Sequence, residues 1–89
     1  MGRLHLIIRG RVQGVFFRVR AQEVAEGLGL FGVVRNRPDG AVELIAEGPD
    51  HKLARLRDFA KRGPTEAHVT AVDEIAEAET GEFSDFFVR

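Results

Sequence analysis

The sequence predicts a two-layer α/β sandwich, an antiparallel sheet with two helices on one face, built from a β-α-β-β-α-β succession and a short final strand. Three observations predict it. Apolar residues recur with a helical period in two stretches and alternate with a period of two in the stretches around them. A Pro-Asp-Gly turn joins the second and third alternating stretches as a hairpin. The chain has 89 residues, and one of that size buries only about 60–70% of its extended surface, enough for one sheet and a few helices. A single domain over residues 1–89 follows, with no linker, repeat or low-complexity segment.

Arg3 to Arg9 reads as the first strand, with Leu4, Leu6 and Ile8 on one face and Arg3, His5, Ile7 and Arg9 on the other. A loop bearing Gly10 and Gly14 follows, and the period then changes. Phe17, Ala21, Val24, Ala25 and Leu28 form one apolar helical stripe, which Gly27 and Gly29 can end. Phe31 to Asn36 is the second strand, Arg37-Pro38-Asp39-Gly40 the turn, and Ala41 to Glu47 the third strand. Gly48-Pro49-Asp50 opens the second helix, with Pro at its first position and Asp near the positive end of the helix dipole. Its core face is Leu53, Leu56, Phe59 and Ala60, and Lys61-Arg62-Gly63-Pro64 closes it with cations, a glycine cap and a proline stop. Ala67 to about Ile75 is the fourth strand and Phe83 to Val88 the last. The acidic run from Asp73 through Glu82 reads as a solvated strand end and bend.

This order is that of a ferredoxin-like sandwich. It carries one geometric consequence. A βαβ crossover runs its two strands parallel, so the loop after the first strand and the end of the second emerge at the same edge of the sheet. The glycine loop and Asn36, the only asparagine in the chain, are therefore expected side by side.

Ile8-Arg9-Gly10-Arg11-Val12-Gln13-Gly14-Val15-Phe16-Phe17-Arg18 joins an apolar strand to an amphipathic helix through two glycines and closes on an arginine. Backbone N–H groups at a helix N-terminus are unpaired and carry the positive end of its dipole, so such a loop can wrap a small dianion. Arg18 adds a fork of donors on the same side. Taken singly, Gly10 and Gly14 could serve only a tight turn, Arg18 a surface ion pair and Asn36 a turn before Pro38.

Composition narrows the chemistry. Net charge is −1 and the sequence pI is about 6.3, so there is no global positive field for nucleic acid or an anionic membrane. The expected middle strands, Leu4 to Ile8 and Val42 to Ala46, carry no aromatics on which RNA bases could stack. The absence of cysteine excludes disulfides, thiol catalysis and Cys-ligated zinc, and His5, His51 and His68 are scattered without metal-ligand spacing. No metal or cofactor is expected. The apolar run before Arg9 is too short for a signal peptide, so the expected location is the cytoplasm.

A phosphate cradle with an arginine and a side-chain amide holds no general acid or base. Asn cannot take a proton in water, but its amide can hold a water in position. An alkoxide leaving group needs a metal or an acid. A carboxylate, whose conjugate acid has a pKa of about 4, needs neither. An acyl phosphate is thus the substrate such a site suits.

Gly10, Val12-Gln13-Gly14-Val15 and Phe17-Arg18 together resemble the first signature of the acylphosphatases. Gly32-Val33-Val34-Arg35-Asn36, followed after three residues by Gly40-Ala41-Val42 and then by Gly48, resembles the second. The resemblance implies a small ferredoxin-like domain that hydrolyses acyl phosphates without metal or cofactor. It implies that the backbone amides of Gln13, Gly14, Val15, Phe16, Phe17 and Arg18 bind the phosphate together with the Arg18 side chain, and that Asn36 orients the attacking water. Expected partners are a small acyl phosphate and free phosphate or similar anions, on a monomer. Val33 departs from the pattern, which usually has an aromatic residue there. It alternates away from Asn36 in the strand, so the expectation is altered packing with the chemistry intact.

Two other readings fit parts of the pattern. One is a non-catalytic phosphate-binding or regulatory domain that keeps the cradle. The other is the acylphosphatase-like domain of larger carbamoyl-transfer maturation proteins, against which stands a chain running from Met1 to just past its last strand, without a following metal-binding segment.

Overall fold

A computed structural model describes residues 1–89. The elements are β1 (Gly2–Arg11), α1 (Phe17–Gly27), β2 (Phe31–Asn36), β3 (Val42–Gly48), α2 (Asp50–Arg62), β4 (His68–Glu74) and β5 (Phe86–Val88). They form one five-stranded sheet in the order β4-β1-β3-β2-β5. The ferredoxin-like order expected from the periodicities is the order observed.

The alternation of β1 turns Leu4, Leu6 and Ile8 to the helix face, where all three are fully buried. Val42, Leu44 and Ala46 of β3 and Val34 of β2 join them, and Phe17, Ala21 and Ala25 of α1 with Leu53, Leu56, Phe59 and Ala60 of α2 close the core from above. Phe17 and Phe59 meet with ring centroids 5.6 Å apart, tilted by 56°, which joins the two helices at the foot of α1. Pro49 stands one position earlier than expected. It is the N-cap of α2, in extended conformation, and its carbonyl accepts from the Lys52 and Leu53 amides at 3.0 Å.

The sheet is mixed rather than wholly antiparallel. β1 runs antiparallel to β3 and β4, and β2 antiparallel to β3, but β5 lies parallel to β2, with Gly32 opposite Phe86 and Val34 opposite Val88. The connection from β4 crosses from one edge of the sheet to the other before β5 begins, and a period of two in sequence says nothing about the direction of a strand's partner. The register also shifts between Arg9 and Gly10. At Gly10, where φ is 122°, a Cβ would stand 2.2 Å from the His68 carbonyl oxygen, so only glycine fits this bulge beside β4.

The acidic run does more than fill a solvated bend. Glu77 and Glu82 pair with Arg3 at 2.8 and 2.9 Å, and Glu74 pairs with Arg57 at 2.9 Å. Thr80 and Gly81 donate their amides to the buried Glu47 at 2.9 and 2.8 Å. Arg3 and Glu47 point away from the helices, so the connection to β5 is laid across the open face of the sheet over β1 and β3.

Candidate active site

β1 and β2 run parallel with β3 between them, so the end of β1 and the end of β2 open on the same edge of the sheet. The loop from Val12 to Phe16 begins there. Val12 and Val15 are buried and anchor it, while Gly14 at φ 75° and Phe16 at φ 64° turn the backbone between them. Phe16 is the N-cap of α1 and makes no side-chain cap, and no acidic residue stands in the first turn. The N-terminal amides of α1 and the positive end of its dipole are thus left for a ligand.

These parts enclose a cleft of about 240 Å³ lined by Val12, Gly14, Phe16, Phe17, Arg18, Val19 and Asn36. Both side chains singled out by the sequence, Arg18 and Asn36, are half-buried and line this one cleft. Of the six loop residues, Gly14, Phe16, Phe17 and Arg18 line it as well. Gln13 and Val15 do not. Val15 borders a neighbouring cleft with Phe16, Arg20, Pro64, Thr65 and Glu66. Gln13 turns its side-chain amide to the β2–β3 hairpin, where Nε2 donates to the carbonyls of Arg37 at 2.8 Å and Ala41 at 2.9 Å.

Asn36 ends β2 opposite Val42. Its Oδ1 is buried and has no hydrogen-bond partner. A buried acceptor without a donor is costly unless a ligand or water supplies one. Arg18 Nη1 donates to the backbone oxygen of Arg89 at 2.7 Å, which holds the guanidinium from the side of β5.

Two carboxylates near this edge, Asp39 and Glu43, are already engaged. Asp39 accepts from Arg37 and from the Ala41 amide, with Arg9 close by, and the Arg37 guanidinium holds its carboxyl down at about 2. Glu43, on the opposite face of the sheet, is pushed up by burial, but His5 and Arg35 outweigh this and leave it below the usual carboxylate range. A carboxylate so stabilised as an anion is a poor proton acceptor. No three His, Asp or Glu side chains converge to hold a metal ion. The cleft offers chemistry through hydrogen-bond donors, one guanidinium and one side-chain amide.

Two features of the site had no signal in the sequence. The Arg18 to Arg89 contact joins residues 71 positions apart, and the Gln13 side chain serves the hairpin rather than the cleft.

The acylphosphatase family profile matches residues 4–88. The chain is 54% identical over 89 residues to the acylphosphatase of Thiobacillus denitrificans, covering 100% of this chain and 98% of that one. It is 49% identical over 88 residues to the acylphosphatase of Methylococcus capsulatus, covering 99% and 96%. The crystal structure of acylphosphatase from Bacillus subtilis superposes with a TM-score of 0.94 at 35% identity over 100% of this chain and 99% of the other. Fold, signatures and relatives agree: the chain belongs to the acylphosphatase family.

Proposed function

We propose that this chain is an acylphosphatase that hydrolyses small acyl phosphates to a carboxylate and inorganic phosphate, acting as a cytoplasmic monomer formed by one domain over residues 1–89. The observation that carries the mechanism is the Asn36 side-chain amide, whose Oδ1 has no protein partner, lining the same cleft as Arg18 and the uncapped N-terminus of α1.

In this reading the amides of Gln13, Gly14, Val15, Phe16, Phe17 and Arg18 surround the phosphoryl oxygens, and the Arg18 guanidinium adds charge-assisted donors. The Asn36 side-chain amide hydrogen-bonds a water and turns its lone pair toward phosphorus. The water oxygen bonds to phosphorus while the bond from phosphorus to the acyl oxygen breaks. Both electrons of that bond leave with the carboxylate, and both water protons remain with the phosphate. Phosphoryl transfer passes through a loose transition state in which the protein mainly aligns groups and stabilises charge. A carboxylate leaves unaided, so neither a general acid nor a metal enters the scheme. No helix is long and apolar enough to cross a membrane.

The test is hydrolysis of benzoyl phosphate by the purified chain with EDTA present, run beside Asn36→Ala. Turnover that survives chelation and collapses in the variant supports the whole scheme. A wild-type chain that binds phosphate without turnover overturns it in favour of an anion-binding domain.

A further inference from the structure

Of the residues that line the cleft, Phe16 and Val19 alone are large, apolar and exposed, at 68% and 47%. Phe16 is also the one non-glycine residue in the chain with a positive φ, 64°. A bulky side chain is strained in that region, where Gly or Asn fits better, and strained residues persist where something else selects them. Packing does not select this one. Its ring lies outside the core, and as N-cap of α1 it makes no side-chain hydrogen bond. The ring stands as a ridge, since Phe16 borders both the cleft and its neighbour with Val15, Arg20 and Pro64.

The remaining lining residues are accounted for in the acyl phosphate reading, on which this inference rests. Arg18 and the loop amides take the phosphate, Asn36 takes the water, Gly14 has no side chain, and Val12 and Phe17 are buried. In-line displacement sets the leaving oxygen opposite the attacking water. The acyl group therefore lies on the side away from Asn36 and meets the rim. We propose that Phe16 and Val19 form an apolar shelf for the acyl group, so that the enzyme selects acyl phosphates with an aromatic or extended apolar acyl group over those with a short one. Past the ridge, Arg20 of the neighbouring cleft is paired with Glu23 at 2.7 Å.

The experiment compares kcat/KM for benzoyl phosphate and acetyl phosphate in the wild-type chain, Val19→Ser and Phe16→Asn, with inhibition by inorganic phosphate measured alongside. The expected result for Val19→Ser is a loss of about 5-fold on benzoyl phosphate, with acetyl phosphate and the inhibition constant for phosphate unchanged. For Phe16→Asn, which suits the left-handed backbone, the ratio of the two kcat/KM values falls by about 10-fold. Ratios that move less than about twofold in both variants, or equal losses on both substrates, overturn the shelf. A wild type that turns over neither substrate overturns the acyl phosphate reading and the shelf with it, whereas a wild type active on both with unmoved ratios overturns the shelf alone.

Discussion

Arg18 Nη1 donates a 2.7 Å hydrogen bond to the backbone oxygen of Arg89, tying the guanidinium in the cleft to the strand at the edge of the sheet. β5 is held in turn by β2, the strand that ends in Asn36, and the Arg89 amide donates to the Val34 carbonyl at 2.9 Å. The two polar side chains of the cleft thus share one scaffold. A planar fork can keep the Arg89 contact with one nitrogen and offer others to a phosphate, which a point charge cannot. Arg18→Lys is expected to raise the inhibition constant for inorganic phosphate by about 10-fold and to lower kcat/KM at least as much. An inhibition constant that stays put would remove Arg18 from phosphate binding.

Asn36→Ala removes the side-chain amide and leaves the loop amides and Arg18 in place. We expect kcat to fall about 100-fold with KM changed by less than about threefold, the signature of a group acting on the water. Steady-state kinetics with benzoyl phosphate decide it. A rise in KM with kcat preserved would make Asn36 a phosphate ligand instead.

Gln13 bridges the loop to the hairpin through the carbonyls of Arg37 and Ala41, which flank the turn just after Asn36. Both carbonyls keep a partner without it, since Gly40 N donates to Arg37 and Arg37 N to Ala41 at 3.2 and 2.8 Å. Gln13→Ala should therefore cost only about 1–2 kcal/mol in denaturant unfolding. It should also lower kcat by about 10-fold, with inhibition by phosphate unchanged, because Asn36 loses its alignment with the loop. A stability loss with kcat intact would make the bridge structural only.

Glu47 links stability to pH. Burial pushes its carboxyl up, but Arg3, the amides of Thr80 and Gly81 and the Thr80 hydroxyl outweigh this and hold it down at about 2. The unfolded chain, with an ordinary value near 4.5, binds the proton first as pH falls. The carboxylate's contribution is therefore full above about pH 4.5 and is lost as pH falls toward 2. Thermal unfolding should show a Tm that drops steeply across that window. Glu47→Gln should be less stable by about 2 kcal/mol at pH 7, and its curve should converge on the wild type near the acid end. Parallel curves for the two proteins would show that Glu47 is not the group responsible.

Local pattern was enough for most of the fold. The period-two run of Leu4, Leu6 and Ile8, the helical stripe from Phe17 to Leu28 and the Pro-Asp-Gly turn each encode an element within a few residues of themselves. The parallel run of the two strands of a βαβ crossover then put Asn36 beside the glycine loop from the order of elements alone. What lay beyond the sequence depends on contacts between distant segments. The parallel direction of β5, the connection laid over Arg3 and Glu47, the Gln13 bridge and the Arg18 to Arg89 bond join residues 24 to 79 positions apart. A strand's own alternation shows which face is apolar but not which edge it will meet, and a polar side chain in a loop shows that it needs a partner but not which one. Elements are decided by side chains a few residues apart, whereas the site is decided by the packing that brings their ends together.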